Sequence, residues 1–166
     1  MGRLEQVKTE PAKLAAMETE ISIRRAAAND AIETAAVFTA AFASMPFVPK
    51  IHSAEEDRAF IAGLIQQAEV WLAIRDARVI GLACLDGDWL AQLYVHPDFH
   101  NRGAGAALLA HVKEERPGGF QLWTFQANTG ARRFYERHGC VAVEFTDGVN
   151  NEEKTPDVRY AWRGAQ

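Results

Sequence analysis

The chain has 166 residues, a formal net charge of −4 and a composition that is 48% hydrophobic, which together indicate one globular domain with a sizeable core. The negative charge argues against nucleic acid or an anionic membrane as a partner, and no stretch approaches the roughly 20 apolar residues that cross a bilayer. The N-terminus lacks the apolar run of a signal peptide, and Cys84 and Cys140 have no metal-like spacing, so we expect a cytoplasmic protein with reduced thiols and no metal ion.

The first part of the chain is predicted to contain an extension, a strand and a helix. Residues 1–20 are polar and form the extension, while residues 21–166 form the domain. Alternation of apolar and polar residues from Ile21 onward predicts the first strand. Asn29 or Asp30 can cap the helix that follows, which extends through residue 43.

The rest of the chain alternates helices with strands. Ser53 and Glu56 form a capping-box pattern that opens a second helix. Period-two alternation and bounding glycines and prolines then predict strands at about 70–74, 79–85, 89–95, 120–126, 140–146 and 157–163, and helices at about 104–115 and 128–138. This order indicates an α+β fold of the three-layer α/β type. Its seven-stranded mixed sheet is mostly antiparallel, with one central βαβ crossover and flanking helices.

The segment 95–109 joins a predicted strand to a predicted helix through a glycine-containing turn. A helix start offers unpaired N–H groups and a partial positive charge, which suit phosphate oxygens. Gly103 and Gly105 let ligand oxygens approach the backbone, and Arg102 adds a charged donor. The dinucleotide fingerprint lacks its third glycine because Leu108 stands there, and the Walker sequence is absent. A turn that only redirects the chain is the alternative at this point.

Two linked motifs resemble the GNAT superfamily of N-acetyltransferases. The sequence from Val95 through Arg102-Gly103-Ala104-Gly105-Ala106 is similar to that family's acetyl-CoA motif, and the sequence 128–140 is similar to its second motif. The order of strands and helices extends the likeness over about residues 21–163. One departure is His100, which stands where the family usually has Gln or Arg. The resemblance implies a GNAT-like sheet and direct transfer of the acetyl group of acetyl-CoA to a primary amine of a small molecule or peptide.

The resemblance also implies roles for individual residues. In the family, backbone N–H groups of an opened strand polarise the thioester carbonyl, here at Leu93 and Val95, and a tyrosine protonates the departing thiolate, here Tyr135. The implied cofactor-binding residues are Leu93, Tyr94, Val95, His100, Asn101, Arg102, Gly103, Ala104, Gly105, Ala106, Asn128, Arg132, Phe134 and Tyr135. Core packing is the alternative role for the Leu93, Val95 and Tyr135 side chains, and helix capping is the alternative for Asn128.

The general base and the acceptor are less constrained. The strand 89–95 contains no carboxylate, so the base stays open among Glu33, His52, Glu56, Asp86, Asp88, His96, His100 and Glu144. By resemblance, the acceptor site is built from Phe42, Phe47, His52, Trp123, Phe125 and the acidic loop 147–156. Glu152, Glu153 and Asp157 would suit a cationic amine, and solvent-facing charge is the alternative role for them. A homodimer is also allowed by the resemblance.

Three other functions stay open. A domain that binds coenzyme A as a sensor without catalysis is disfavoured by Tyr135 and by the intact second motif. A transferase of a longer acyl group is allowed, because the turn recognises the pyrophosphate and the small Ala91 leaves room beside the strand. A dinucleotide enzyme is disfavoured by the missing third glycine and by the antiparallel strands at the start of the domain.

Overall fold

A seven-stranded sheet organises residues 20–165, the part of the chain that the computed structural model describes. The extension predicted at residues 1–20 lies outside the described residues except for its last one. The strands are β1 Ser22–Arg25, β2 Glu69–Arg75, β3 Arg78–Asp86, β4 Trp89–Val95, β5 Phe120–Phe125, β6 Val141–Thr146 and β7 Asp157–Trp162. Their order across the sheet is β1-β2-β3-β4-β5-β7-β6, and every neighbouring pair is antiparallel except β4 and β5.

Four helices flank this sheet, and their order confirms the predicted one. They are α1 Ala31–Ala43, α2 Ala54–Gln67, α3 Ala104–Glu115 and α4 Thr129–Arg137. Helix α3 connects the parallel strands β4 and β5, which is the predicted βαβ crossover. None of the helices in the described part of the chain is long and apolar enough to cross a membrane.

Helix starts follow the local sequence in one case and depart from it in another. The Oγ of Ser53 accepts from the N–H of Glu56 at 3.1 Å, and the N–H of Ser53 donates to the Glu56 carboxylate at 3.2 Å, which confirms the capping box of α2. Asp30 takes the predicted N-cap position of α1, but its side chain makes no capping hydrogen bond. The Asp30 carboxylate instead accepts from Arg24 at 2.8 and 2.9 Å and from the N–H of Ala27 at 2.8 Å.

The reason is that a short 3-10 turn at Ala28–Asp30 precedes α1 and turns the Asp30 side chain back toward β1. The Arg24 hydrogen bonds lower the pKa of Asp30 to about 2, despite partial burial that opposes the shift. Asp30, which the sequence pattern places at a helix start, therefore joins β1 to the turn that follows it.

Two apolar clusters hold the layers together on opposite faces of the sheet. Helices α1 and α2 pack on one face through Ala35, Val37, Phe38, Ile61, Val70, Leu72, Val79, Leu82 and Cys84. Helices α3 and α4 pack on the other face, where the largest fully buried residues include Ile80, Leu85, Leu108, Leu109, Val112, Leu122 and Tyr160. Burying a leucine or isoleucine side chain contributes roughly 1.5–3 kcal/mol of transfer free energy, so these two clusters fix the helices against the sheet.

Candidate active site

Strands β4 and β5 separate almost as soon as they meet. Their only paired residues in the described part of the chain are Trp89 and Gln121, and the N–H of Gln121 donates to the carbonyl of Asp88 at 2.9 Å. Beyond this point the strands diverge, as predicted. Residues of β4 from Leu90 to Val95 therefore line a cleft of about 1870 Å³.

The backbone of β4 presents free donors to this gap. The N–H of His96 donates to the carbonyl of Ile80 on β3 at 2.9 Å, and Tyr94 pairs with Leu82 on the same strand. Because N–H directions alternate along a strand, the N–H groups of Leu93 and Val95 point away from β3 and toward β5. Since β5 does not pair there, these two groups are available to a ligand.

The turn before α3 presents a second set of free donors. Asn101 and Gly103 have left-handed backbone angles, with φ of +59° and +92°, and the first backbone bond of the helix runs from Ala107 to the carbonyl of Gly103. Within residues 20–165, nothing accepts from the N–H groups of Gly103 to Ala106. Successive free N–H groups in such a turn form an anion-binding concavity, which the start of a helix reinforces.

Gly103 and Gly105 are each needed in the turn, but for different structural reasons. Gly103 needs its positive φ, and a Cβ there would meet no atom within 4 Å. A Cβ on Gly105 would lie 3.4 Å from Cζ of Phe134 on α4 and 3.9 Å from Cγ2 of Val95. The expectation that a glycine lets ligand oxygens approach the backbone therefore applies to Gly103 alone. Gly105 instead allows α3 to pack closely on Phe134.

The side chain of His100 stabilises the same turn through one hydrogen bond. Its Nε2 donates to the carbonyl of Val95 at 2.9 Å, which requires the proton on Nε2. This bond ties the turn to the end of β4. The residue that departs from the family pattern therefore has a positioning contact as well as a place in the cleft lining.

Most of the predicted cofactor residues line the cleft, and three do not. Those that line it are Leu93, Tyr94, Val95, His100, Asn101, Gly103, Gly105, Ala106, Asn128, Phe134 and Tyr135. The Ala104 side chain is buried in the core, and the exposed Arg102 guanidinium lies 5.9 Å from the ring centre of Phe99. Arg132 turns away toward β6 and β7, where its Nε donates to the Tyr160 hydroxyl at 3.2 Å and its guanidinium lies 5.5 Å from the Phe145 ring centre.

Tyr135 lies on the side of α4 that faces the cleft. It is 6% exposed, and its ring packs against Phe134 and Tyr160 at 5.3 and 6.0 Å between centres. Burial raises the pKa of Tyr135 well above its ordinary value, and nearby Tyr94 and Cys140 raise it further. The phenol therefore stays protonated through the physiological range and can only donate its proton.

Asn128 begins α4 in the predicted manner. Its Oδ1 accepts from the N–H of Ala131 at 3.1 Å, which confirms the helix cap. Its Nδ2 lies 3.7 Å from the sulfur of Met45, in the segment between α1 and α2. That segment therefore reaches across the cleft to the second motif.

The far end of the cleft forms an arm lined by aromatic rings. Tyr94 lies between α1 and the gap, with its ring centre 5.5 Å from that of Phe38 and 5.2 Å from that of Phe42. Phe47 contacts Phe125 at 6.3 Å between ring centres. The residues predicted for the acceptor site all line this cleft, namely Phe42, Phe47, His52, Trp123, Phe125 and much of the loop 147–156.

The same arm is acidic. Among the residues that line the cleft, seven are carboxylates and only Lys50 and Arg137 are Lys or Arg; the carboxylates are Glu56, Asp57, Glu144, Asp147, Glu152, Glu153 and Asp157. Within residues 20–165, His, Cys, Asp and Glu side chains do not group as a metal centre would require. Three of these carboxylates have basic partners: Glu56 and Glu152 contact the His52 ring, and Glu144 contacts Arg159 at 3.0 Å.

The candidate bases separate into two groups. Those that line the cleft are His52, Glu56, His100 and Glu144. Asp86, Asp88 and His96 lie outside its lining, and Glu33 accepts from the N–H of Val79 at 2.8 Å, which is a structural contact. The sequence interpretation also missed Asp57, whose carboxylate is 8% exposed. The signal for it was its place in phase with Ile61 and Leu64 on the apolar face of α2.

Comparison with known proteins agrees with this geometry. A free N–H turn before α3 and an opened strand beside a buried tyrosine are the arrangement that the resemblance to GNAT acetyltransferases implies. Residues 66–140 match the family model described as an acetyltransferase (GNAT) domain. This region of the chain is therefore similar to the acetyltransferase domain of the GNAT superfamily.

The curated relatives include two peptidyl-lysine N-acetyltransferases. YiaC of Escherichia coli strain K12 is 30% identical over 81 residues, which cover 48% of this chain and 55% of YiaC. YjaB of Salmonella typhimurium strain LT2 is 26% identical over 121 residues, which cover 72% of this chain and 82% of YjaB. The matched part of this chain thus spans about half the length of YiaC.

Two solved structures share the fold. Apo YjaB from Escherichia coli has a TM-score of 0.72 at 22% identity, over 89% of this chain and all of that one. YncA from Salmonella typhimurium, solved with its cofactor acetyl-CoA, has a TM-score of 0.69 at 15% identity, over 89% of this chain and 96% of that one. At these identities the likeness concerns the fold.

Proposed function

We propose that this chain is an acetyl-CoA-dependent N-acetyltransferase that acts on a positively charged primary amine. The observation that carries the proposal is the continuity of a single cleft. It joins the free N–H groups at Gly103 to Ala106, the open edge of β4, the buried Tyr135 and the acidic arm. These are the parts that bind a pyrophosphate, hold a carbonyl, supply a proton and attract a cation.

The turn fits the pyrophosphate of coenzyme A. Its free N–H groups and the start of α3 provide several donors and a partial positive charge without any lysine. Phe134 and Asn128 line the same channel and would contact the pantetheine arm. Acetyl-CoA, when bound, supplies an acetyl group activated as a thioester.

The residues of this chain act on the two ends of the reacting bond. The N–H groups of Leu93 and Val95 donate to the carbonyl oxygen and stabilise the negative charge that develops on it during attack by the amine. Tyr135 donates its proton to the leaving sulfur. Because its pKa is raised, Tyr135 carries its proton throughout the neutral pH range, and the hydrogen bond that it donates stabilises the negative charge developing on the sulfur.

The acidic arm selects and prepares the amine. Its carboxylates attract a protonated acceptor, and they can accept the proton that the ammonium must lose before attack, directly or through water. The relatives YiaC and YjaB support a lysine side chain as the type of acceptor. A cationic alkylamine satisfies both observations.

The test is release of free coenzyme A from acetyl-CoA, followed with a thiol reagent. The acceptors are a blocked lysine peptide, polyamines, aminoglycosides and neutral amino acid amides. We expect release with the cationic alkylamines and acetylation of the amine by mass spectrometry. Tight acetyl-CoA binding without release would instead support a sensor, and faster release from longer acyl-CoA substrates would support the alternative acyl specificity.

A further inference from the structure

Three aspartates of the described residues are buried to more than nine-tenths, and they differ in how their charge is compensated. Asp30 accepts two hydrogen bonds from Arg24 and one from a backbone N–H. Both carboxylate oxygens of Asp157 are bonded, one to Thr146 and one to Asn151. Asp57 accepts one bond, from Oγ1 of Thr39 to its Oδ2 at 2.7 Å. Within residues 20–165, no Lys, Arg or His nitrogen lies within 4.0 Å of Asp57.

The other carboxylate oxygen of Asp57, Oδ1, accepts no hydrogen bond from the described residues. Both Asp57 and Thr39 line the cleft. Next to them, the ring of Phe60 lies 5.6 Å from that of Phe38, which in turn lies 5.5 Å from that of Tyr94 on β4. An aromatic wall therefore leads from the open edge of β4 to a buried carboxylate.

A buried carboxylate with one hydrogen bond is an incomplete site. The start of α2 and the Thr39 hydroxyl offset part of its charge, and no cationic side chain of the described residues offsets the rest. Aromatic faces beside it add attraction for a cation and cover an alkyl chain. A ligand ammonium is the group that completes this arrangement.

We propose that Asp57 binds a second positive group of the acceptor, so that the preferred acceptor is an alkylamine that carries two cations. This inference rests on the proposed function, in which the other amine reaches β4 and Tyr135. Asp57 acts as a specificity-determining residue and takes no part in the transfer itself. A free diamine and a lysine beside another basic residue in a peptide both offer this chemistry.

The test measures binding separately from transfer. Dissociation constants of cadaverine and n-pentylamine, which share one chain length and differ in the second ammonium, are measured by calorimetry on protein saturated with coenzyme A. The variants are Asp57→Asn, which keeps an acceptor for Thr39 but removes the charge, and Thr39→Val, which keeps the charge but removes the bond between α1 and α2. Glu55→Gln is the matched control, because Glu55 is an exposed carboxylate on the same helix and outside the cleft lining.

We expect the natural protein to bind cadaverine at least about tenfold more tightly than n-pentylamine, as one charge-assisted contact provides. Asp57→Asn should remove most of this preference and leave n-pentylamine within about twofold, whereas Thr39→Val and Glu55→Gln should keep it. Equal weakening of both amines in Asp57→Asn would overturn the inference, and so would a charge preference that does not depend on Asp57 in either the amine pair or the peptide pair described next.

Two further measurements complete the test. One distinguishes a free diamine from a peptide as the ligand, and the other tests the proposed acetyltransferase function. A blocked peptide with Lys next to Arg is compared with one in which Gln replaces that Arg. Dependence on Asp57 in the peptide pair but not in the amine pair assigns the site to peptides, and the reverse assigns it to free diamines. Acetylation rates of the same compounds test the proposed function. A charge preference in binding without any acetyl transfer would refute that function while leaving the Asp57 site in place.

Discussion

The imidazole of His52 joins two parts of the chain that lie 100 residues apart, because its Nε2 is 2.6 Å from Oε1 of Glu152 while its Nδ1 is 2.9 Å from Oε2 of Glu56. Both partners are carboxylates that only accept, so both ring nitrogens must carry protons. The contact connects the start of α2 to the β6–β7 loop across the acidic arm. This bridge between the two segments exists only while the ring is doubly protonated.

This contact predicts a pH dependence. Hydrogen bonds to Glu56 and then Glu152 raise the pKa of His52 above its ordinary value near 6.5. The pKa of His52 is higher in the folded chain than in the unfolded chain. Its contacts with the two carboxylates therefore stabilise the folded state fully below the unfolded pKa, and this stabilisation is lost as the pH rises through the folded pKa. We expect an NMR titration of His52 to have a midpoint above about 6.5 that falls in Glu152→Gln. Glu55→Gln should leave the midpoint in place, and an unchanged midpoint in Glu152→Gln would contradict the contact.

Tyr135→Phe should slow the transfer step with little change in cofactor affinity. The ring remains to pack against Phe134, so only the proton is removed. Proton transfer by a placed side chain contributes about 10²–10⁴-fold, and single-turnover rates should fall within that range. Tyr160→Phe makes the same chemical change one ring away and outside the cleft lining, and it should keep the rate. A rate within about twofold of the natural protein would make Tyr135 a packing residue.

Gly103→Val should weaken acetyl-CoA binding. A non-glycine residue at a φ of +92° is strained by about 1–2 kcal/mol, and relief of that strain would turn the free N–H groups away from the pyrophosphate. Since hydrogen bonds to a charged group are worth about 1.5–3 kcal/mol, the calorimetric dissociation constant should rise at least about tenfold. Gly63→Ala on α2 is the control, because a Cβ there meets nothing within 4 Å. It should preserve the affinity, and equal affinity in Gly103→Val would count against the site.

Gly105→Val should act through packing. A Cβ at Gly105 already lies 3.4 Å from the Phe134 ring, so the additional methyl groups must displace α4 or the ring. Overpacking of this kind costs about 1–3 kcal/mol, and the melting temperature should fall together with the acetyl-CoA affinity. A full loss of affinity with an unchanged melting temperature would instead indicate direct obstruction of the ligand.

Asn151→Ala should loosen the acidic loop. The Asn151 amide donates to the carbonyl of Thr155 at 2.7 Å and to Oδ2 of Asp157 at 3.0 Å, and it accepts from the Thr155 N–H at 3.1 Å. Its loss leaves buried groups unpaired, which costs about 1–3 kcal/mol in urea unfolding. The KM for the amine should rise while that for acetyl-CoA is kept. Asn150→Ala, the same change in an exposed neighbour, should alter stability by less than about 0.5 kcal/mol. Equal effects of both variants would show that Asn151 does not order the loop.

The parts of the fold that followed from the sequence depend on local spacing. The capping box of Ser53 and Glu56 and the cap at Asn128 are confirmed because each involves atoms three residues apart. Asp30 departed from its prediction because Arg24, on the preceding strand, competed for the same carboxylate. The Arg132 side chain also departs from its predicted role, because it donates a hydrogen bond to Tyr160 on β7 and therefore lies away from the cleft.

The sequence by itself determined the order of strands and helices, the glycine turn before α3 and the helix that carries Tyr135, because helix periodicity, strand alternation and glycine conformation are properties of neighbouring residues. Tertiary structure alone decided which donors of β4 face the gap, since their direction depends on pairing with β3. It also decided that His52 meets Glu152 and that Asp57 is buried without a cation in the described chain. Contacts between distant segments leave no fixed spacing in a sequence, so the carboxylate that Asp57 adds to the expected acidic loop 147–156 became visible only once the chain had folded.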